Sequence, residues 1–509
     1  MALERMDVLG WRNVALGVWL DLTTTGLSPA DLAGAEADFV LPFRAMADLE
    51  AGSIANPDEQ RRVGHYWLRT PEIAPDGLAA VIDAAREAAR AVASAVHQVS
   101  ELRTVLVLGI GGSALGPQFV ADALAEPDDR MRVVFLDNTD PDGFSRVLGP
   151  LDLEETLVVC ISKSGGTAET RNALLETQAA YARAEIPFEA HAIAITGEGS
   201  ALWKAAEGWR ARLPMWDWVG GRTSLASAVG LLPMWLQGID ADAFLAGAAA
   251  MDEVTRIPHV SRNPAALLAL AWHHLGQGRG ARDMVMLPYR DRLVLLSRYL
   301  QQLVMESLGK EKDLAGRIVH QGLTVYGNKG STDQHAYVQQ LREGPDDYFA
   351  TFIGVLDDGY HGGVEVDPGL DAGDYLQGFF LGTRKALSEG GHPSLTILLS
   401  QLDAYRVGAL VALYERAVGL YAFRINVNAY NQPGVEAGKK AAAEVIAFKP
   451  RLLAALDDTP ATVAVLAERA GVSDQSVAWF LLMRLGANGG VRYFPGAGPW
   501  TDRFAAAPE

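Results

Sequence analysis

The sequence is poor in cysteine and has no long apolar runs. Its single cysteine, Cys160, cannot form an intrachain disulfide, which favours a reducing compartment. Because Cys160 lies within the apolar stretch TLVVCIS, we expect a buried and unreactive thiol. No stretch reaches the roughly 18 uninterrupted apolar residues of a membrane span, and the first residues, MALERMDVLGWRN, carry charges too early for a signal peptide. These absences predict a cytoplasmic protein with no membrane partner.

Positive charge is also scarce. The chain has 44 Lys and Arg residues against 62 Asp and Glu residues, which gives a net charge of -18. Such a surface repels polyanions and argues against nucleic acid as a partner. The tail contains TVAVLAERAGVSDQSVAWFLLMRLGANGG, which is typical of a small helix-turn-helix or winged-helix unit but lacks the basic residues that DNA binding requires. We therefore expect this tail to be a structural helical appendage.

The chain is too long for one hydrophobic core, so its 509 residues predict two or three domains. Four short β-branched runs alternate with helical patterns: TVLVLGI, RVVFLDN, TLVVCIS and AHAIAIT. This alternation predicts a parallel sheet that helices cover on both faces. A second alternation begins at RDMVMLPY and continues through TVYGN, YFATFIGV and HPSLTILLS. We thus predict an α/β fold with an N-terminal helical region at 1–100, a first α/β domain with following helices at 101–280, a second α/β domain at 281–449, and a C-terminal helical appendage at 450–509.

A glycine-rich turn follows the first predicted strand, in VLVLGIGGSALGPQ. Gly109, Gly111 and Ala114 fit the dinucleotide fingerprint G-x-G-x-x-G/A, and Asp137 ends the next strand at a plausible distance. A nicotinamide or flavin enzyme is therefore one reading of this turn. A carboxylate at position 137 could equally cap the turn in LDNTDPDG.

A second loop favours a single phosphate group instead. In VVCISKSGGTAETRNALLE, six consecutive positions contain three hydroxyls, one lysine and two glycines, namely Ser162, Lys163, Ser164, Gly165, Gly166 and Thr167. Small hydroxyl residues and glycines at the start of a helix provide a concentration of N–H and O–H donors that suits one phosphate. A helix cap is the ordinary alternative. Since a dinucleotide enzyme would not need this second loop, Gly112 and Ser113 of the first turn are better interpreted as a wall that faces a sugar.

The order of six motifs carries a specific resemblance. GIGGSALGP, SKSGGTAET, GGRTSLASAVGL, MESLGK, STDQHAY and YNQPGVEAGK resemble the motifs of the phosphoglucose isomerase family and span roughly residues 60–445. The resemblance implies two sugar-isomerase (SIS) domains, each an α/β sandwich with a mainly parallel sheet. It also implies interconversion of glucose 6-phosphate and fructose 6-phosphate through an enediolate, by a homodimer, without a metal or an organic cofactor.

The proton-transfer base is predicted at Glu306, in QQLVMESLGK, after an apolar helical run. Gln302 lies four residues earlier on the same helix face, where its amide could hold the substrate beside the carboxylate. The alternative is structural: Glu306 and Lys310 have the i,i+4 spacing of an ordinary helix ion pair. The resemblance to the MESLGK-type motif favours the catalytic role.

The resemblance assigns three further catalytic residues. His335, at the start of the predicted helix DQHAYVQQLRE, would help to open the sugar ring from the neighbouring subunit, and a helix N-terminus would favour its neutral form. Lys439 would assist the ring opening, and Arg222 would stabilise the anionic intermediate. Without the resemblance, His335 would be read as a polar surface group, Lys439 as part of an exposed basic pair, and Arg222 as part of a loop. Gln432, in YNQPGVEAGK, completes the expected substrate-binding residues.

The chain departs from the family pattern at two positions. Thr223 follows the arginine of GGR where an aromatic residue is usual, and Asn431 replaces the carboxylate of the common FDQ or YDQ. Both departures leave the sugar preference open, so an isomerase that also accepts mannose 6-phosphate is an alternative. A non-catalytic SIS protein that senses sugar phosphates is another, although a sensor has no need of a complete proton-transfer set.

Overall fold

The chain forms two compact units, 1–431 and 432–509. The computed structural model describes residues 2–99, 101–360 and 362–507. Within those residues, no helix combines the length and the apolar character needed to cross a membrane.

The first unit alternates helices and strands. Its helices are α1 (Ala2–Val8), α2 (Pro29–Glu50), α3 (Leu78–His97), α4 (Leu115–Ala123), α5 (Pro141–Leu148), α6 (Ala168–Arg183), α7 (Ala201–Ala205), α8 (Ala228–Gln237), α9 (Ala241–Thr255), α10 (Pro264–Leu275), α11 (Leu296–Leu300), α12 (Val338–Glu343), α13 (Ala372–Glu389) and α14 (Ala404–Arg424). Its strands are β1 (Gly10–Asn13), β2 (Val18–Asp21), β3 (Ile54–Asn56), β4 (Arg61–Arg62), β5 (Thr104–Leu108), β6 (Arg132–Leu136), β7 (Thr156–Ser162), β8 (Ala192–Thr196), β9 (Ala211–Pro214), β10 (Asp283–Pro288), β11 (Lys310–Lys312), β12 (Ile318–Gln321), β13 (Val325–Tyr326), β14 (Tyr348–Val355) and β15 (Ser394–Leu399).

The first sheet has the order β6-β5-β7-β8-β9, and every pairing in it is parallel. Alternate residues of the central strands face opposite sides: Val105 belongs to the core under α3 and α8, whereas Leu106 belongs to the core under α5 and α6. A strand that is buried on both faces reads as an apolar run, which is why the sequence reveals it. The four predicted strands are confirmed, and β9 is an addition. Cys160 is buried in β7 as predicted, and burial raises the pKa of its thiol to about 12.

The second sheet has the order β1-β2-β15-β14-β10-β13. Its centre is parallel, and β2 pairs antiparallel with β15, so the N-terminal segment supplies one edge of this sheet. The two mainly parallel sheets confirm the predicted α/β class. The region 1–100 is not helical throughout, because it contains β1 and β2: β1 pairs with β2, and β2 pairs with the distant β15. The four predicted domain ranges stay a prediction.

Helix α14 is the centre of the largest core. Every residue from Val407 to Ala422 is buried, and the helix packs closely against α9. A Cβ atom on Gly247 would overlap the main chain of Tyr405, and one on Gly408 would overlap that of Phe244. Two glycines therefore allow the backbones of α9 and α14 to approach each other.

A buried charge network lies beside this core. Arg69 pairs with Asp252 and with Glu415, and Arg416 pairs with Asp252 at 3.0 Å and with Glu50 at 2.7 Å. Burial raises the pKa of Glu415 to about 7, although Arg69 opposes the shift. Each buried charge in the network thus faces an opposite charge, which is the condition for keeping such groups out of water.

The second unit contains α15 (Pro433–Ala454), β16 (Ala461–Thr462), α16 (Val463–Ala470), α17 (Gln475–Ala487), β17 (Val491–Phe494) and β18 (Arg503–Ala506). Its strands form an antiparallel sheet in the order β16-β18-β17. This succession of helix, strand, two helices and two strands is that of a winged helix. The predicted boundary between 449 and 450 falls inside α15, and the expected helical appendage contains a sheet as well.

Candidate active site

Two turns meet at the carboxyl edge of the first sheet. One is the 3-10 helix Gly111–Ser113, which follows β5, and the other is the 3-10 helix Gly221–Thr223, which lies beyond β9. A Cβ atom on Gly112 would overlap the main chain of Gly221, so the contact between the turns requires a glycine. Gly112 is not a fingerprint position, whereas Gly111, which is one, has a φ of +58° that favours glycine whatever the turn binds.

The predicted phosphate loop joins β7 to α6. Ser162 Oγ donates to Thr167 Oγ1 at 3.2 Å, and Gly166 N donates to Ser164 Oγ at 3.2 Å. Gly165 has a φ of +67°, in the left-handed region. Thr167 is the N-cap of α6 and makes no side-chain hydrogen bond to that helix end. The loop therefore places small hydroxyl groups at the N-terminus of a 16-residue helix, where an anion is stabilised.

Lys163 connects the phosphate loop to the neighbouring turn. Its Nζ donates to the carbonyl of Val219 at 2.9 Å. Burial, together with the positive charges of Arg61 and Arg222, lowers the pKa of Lys163 to about 8, although Asp217 opposes the shift. A bound phosphate would favour the ammonium form, because it would bring a negative charge to this cluster of cations.

Arg222 and Glu306 form the central ion pair. Arg222 NH1 lies 2.8 Å from Glu306 Oε2, and Arg222 Nε donates to Ser307 Oγ at 2.9 Å. Arg222 NH2 donates to the carbonyls of Ala429 at 2.9 Å and Asn431 at 2.8 Å. Burial lowers the pKa of Arg222, and the Glu306 carboxylate opposes the shift. The guanidinium is thus held at a fixed position, while the Glu306 side chain remains 20% exposed.

Gln302 and Glu306 both lie on a π-helix, Gln301–Glu306, that continues α11. Such segments frequently occur at functional sites. A Cβ atom on Gly111 would lie 3.0 Å from Gln302 Nε2, so the amide reaches the first turn. The structure thus brings Gly112, Arg222, Gln302 and Glu306 together. These groups could remove a proton from a small phosphorylated molecule and neutralise the anion that results.

Lys310 does not form the side-chain pair with Glu306 that its spacing allowed. Its Nζ instead donates to the main-chain carbonyl of Glu306 at 2.6 Å and to that of Asn431 at 3.2 Å. Burial, together with the positive charge of Arg222, lowers the pKa of Lys310 to about 7, although Glu306 opposes the shift. Nothing in the sequence distinguishes this lysine from a member of an ordinary surface pair.

His335 belongs to a different turn of the chain. It is the last residue of the 3-10 helix Thr332–His335, and α12 begins three residues later. The expectation that it begins a helix is therefore wrong, and the argument from a helix N-terminus does not apply. Its side chain is exposed. The neighbouring Asp333 organises the turn, since it accepts hydrogen bonds from Asn328 N at 3.0 Å and Tyr337 OH at 2.6 Å.

Gln432 and Lys439 belong to the second unit. Gln432 is the N-cap residue of α15. Lys439 is exposed on the same helix and lies 2.9 Å from Glu436 Oε1. Their predicted roles stay predictions.

The loop 428–431 was not recognised as part of the site. Asn431 is the one residue of this loop that carries a signal in the sequence, and that signal is a departure from a motif. The main-chain carbonyls of this loop accept hydrogen bonds from both Arg222 and Lys310. Because main-chain carbonyls carry no residue-type signal, sequence reasoning could not have identified them.

Comparison with known proteins adds the family. Residues 43–362 and 381–458 match the family described as phosphoglucose isomerase. A glucose-6-phosphate isomerase of Thermosynechococcus vestitus is 55% identical over 489 residues, which cover 93% of this chain and 92% of that protein. One of Geobacter sulfurreducens is 59% identical over 453 residues, 86% of each chain. The crystal structure of a glucose-6-phosphate isomerase from Chlamydia trachomatis has a TM-score of 0.79 at 27% identity and covers 87% of this chain and 90% of that one.

Proposed function

The chain belongs to the phosphoglucose isomerase family, and we propose from this premise how its residues interconvert glucose 6-phosphate and fructose 6-phosphate. Aldose–ketose isomerisation needs a base that takes a proton from one carbon and returns it to the next. The observation that carries the proposal is the 2.8 Å pair between Arg222 and the partly exposed Glu306. A carboxylate and a fixed guanidinium are the base and the counter-charge of an enediolate step.

The phosphate binds in the loop 162–167, where Lys163 and the N-terminus of α6 supply positive charge and hydrogen-bond donors. The sugar then extends towards Gly112 and Ser113 of the first turn. Gln302 and Gln432 orient its hydroxyl groups. The position of Gln302 against Gly111 supports this direction.

In the open-chain aldose, Glu306 takes the proton from C2, and an enediolate forms as electron density moves to the carbonyl oxygen at C1. Arg222 compensates the negative charge on the oxygens. The proton of the C2 hydroxyl is transferred to the oxygen at C1, and Glu306 returns its proton to C1, which leaves the ketone at C2. The carboxylate is regenerated, so no oxidant, reductant or cofactor is consumed.

Ring opening precedes this step and uses Lys439 together with His335 of the partner subunit, in a homodimer. The exposed side chain of His335 supports a role outside its own subunit. Two inactive variants, H335A and E306Q, test the assignment when they are co-expressed. If the histidine acts across the interface, each heterodimer contains one intact site, which combines Glu306 of the H335A subunit with the histidine of the E306Q subunit, and activity returns. Verified heterodimers that remain inactive would contradict the shared site.

The lone cysteine supports a cytoplasmic location, since the chain has no second thiol for an intrachain disulfide.

The direct test supplies fructose 6-phosphate and measures the glucose 6-phosphate and mannose 6-phosphate formed. We expect glucose 6-phosphate as the main product. Thermal stabilisation by fructose 6-phosphate without any turnover would identify a sensor and overturn the proposal. Mannose 6-phosphate formed at a comparable rate would instead identify a dual-specificity isomerase.

A further inference from the structure

The loop 428–431 fixes two cations of the site through its main chain. Arg222 NH2 donates to the carbonyls of Ala429 and Asn431, and Lys310 Nζ donates to the carbonyl of Asn431 at 3.2 Å. A shift of this loop would therefore move the guanidinium that faces Glu306. The position of the Arg222 guanidinium thus depends on the residues that hold the loop.

The hairpin β3–β4 holds the loop from outside. Asn56 Nδ2 donates to the carbonyl of Tyr430 at 3.1 Å, and Asn428 Nδ2 donates to Asn56 Oδ1 at 3.0 Å. Asp58, in the turn of the hairpin, accepts from Asn428 Nδ2 at 2.6 Å and from Asn431 Nδ2. One carboxylate thus joins both ends of the loop.

We infer that Asp58 and Asn431 are a matched positioning pair that sets the place of Arg222 and Lys310 in the isomerase site. The inference extends the proposed function, on which it rests. The carboxylate of Asp58 requires a donor at position 431, and an amide supplies one. Asp58 also lies close enough to favour the charged form of Lys310.

A carboxylate at position 431 would conflict with this arrangement. It would lie within hydrogen-bond distance of Asp58 and repel it, because neither group is a donor when ionised. Asn431 Oδ1 is buried and accepts no hydrogen bond within the described residues, so a charged oxygen at that point would also lose its hydration. The departure from the family motif at Asn431 therefore has a local cause in Asp58.

An exchange of the two residues tests the pair. Both hydrogen bonds to Asp58 end on Oδ2, so in D58N/N431D the amide nitrogen of Asn at 58 takes that position and donates to Asp at 431. Asn428 Nδ2 then loses its bond to position 58 and keeps its bond to Asn56 Oδ1. The charge is kept and only its position changes. The matched control is D76N, which removes the exposed carboxylate paired with Arg62 at 2.6 Å on the same hairpin and leaves loop 428–431 untouched.

The readout is kcat and KM for fructose 6-phosphate in the four proteins N431D, D58N, D58N/N431D and D76N, each compared with wild type. We expect N431D to lower kcat by about tenfold or more with KM changed by less than about threefold, because Arg222 acts on the intermediate rather than on bound substrate. The exchanged variant should recover to within about threefold of wild type, and D76N should match wild type.

A purely structural role would lower the midpoint of thermal unfolding of N431D without changing kcat of the folded protein, and that result overturns the inference. So does an exchanged variant that is no more active than N431D. If N431D does not fold, N431A removes the amide without adding charge and should lower kcat in the same direction. If wild type itself has no isomerase activity, the proposed function fails. The thermal unfolding midpoints of wild type, N431D, D58N and D58N/N431D then still show whether Asp58 and Asn431 are coupled, because coupled residues give non-additive changes.

Discussion

Replacement of Glu306 by Gln removes the basic carboxylate and keeps the size and shape of the side chain. The two side chains have the same length, and both fit the end of the π-helix Gln301–Glu306. An amide cannot accept the C2 proton of the substrate at neutral pH. Since ring opening is assigned to other groups, E306Q should still bind the sugar phosphate and open its ring.

The expected magnitude follows from the role of a positioned base. We expect kcat to fall by at least about 100-fold, equivalent to about 2.7 kcal/mol in the barrier. The loss of stability should be smaller. Arg222 keeps its acceptors on Ser307, Ala429 and Asn431, so one ion-paired hydrogen bond becomes a bond to a neutral acceptor, at a cost of about 1 kcal/mol.

The assay follows exchange of the C2 proton of glucose 6-phosphate with deuterated solvent by NMR. E306Q should exchange that proton at least about 100-fold more slowly than wild type. The control is E126Q, which replaces the carboxylate of the exposed pair with Arg292 at 2.7 Å and should exchange at the wild-type rate. Exchange by E306Q at the wild-type rate would show that another group is the base.

Three further predictions concern buried groups. Burial lowers the pKa of Lys310 to about 7 from an ordinary value of 10.5, so the unfolded chain binds more protons between these pH values. The free energy of unfolding should therefore rise with pH across this window more steeply in wild type than in K310M, where the lowered pKa of Lys163 still contributes. If the difference in the free energy of unfolding between wild type and K310M does not change with pH, the pKa shift of Lys310 is contradicted. Asp252 is buried against Arg69 and Arg416, so D252N should lower the free energy of unfolding in urea by about 3–5 kcal/mol; a change below about 1 kcal/mol would mean that the network is not stabilising as a unit. Burial raises the pKa of Cys160 to about 12, so iodoacetamide should label it only after unfolding, and rapid labelling of the folded protein would refute its burial.

The strands of the first sheet were predictable because each is buried on both faces. β7 is buried at all seven residues, and such a strand must be apolar wherever the rest of the chain lies. The turn after β5 was equally predictable, since close backbone approach needs glycine. These requirements act between neighbours in the sequence. The phosphate-binding role of the loop after β7 stays a prediction.

The short strands β1 and β2 were not predictable in the same way. Each has four residues, too few for a period of two to be distinguished from chance, and β2 forms its hydrogen bonds with β15. The turn at His335 differs from the prediction because Ser331 is the N-cap of a 3-10 helix that ends at His335, and not of an α-helix. For β2 the tertiary partner, rather than the local pattern, selects the conformation.

By itself, the sequence determined the α/β class, the buried thiol and the residue types of a phosphorylated-sugar isomerase, because these depend on local composition and motif order. Only the tertiary structure decided that Glu306 faces Arg222 rather than Lys310, and that Arg222 is held by the carbonyls of a loop more than 200 residues away. It also decided that Asn431 is matched to Asp58 across 373 residues. Ion pairs and carbonyl contacts of this kind form wherever the fold brings a donor and an acceptor together. No pattern along the chain specifies which distant residues will meet.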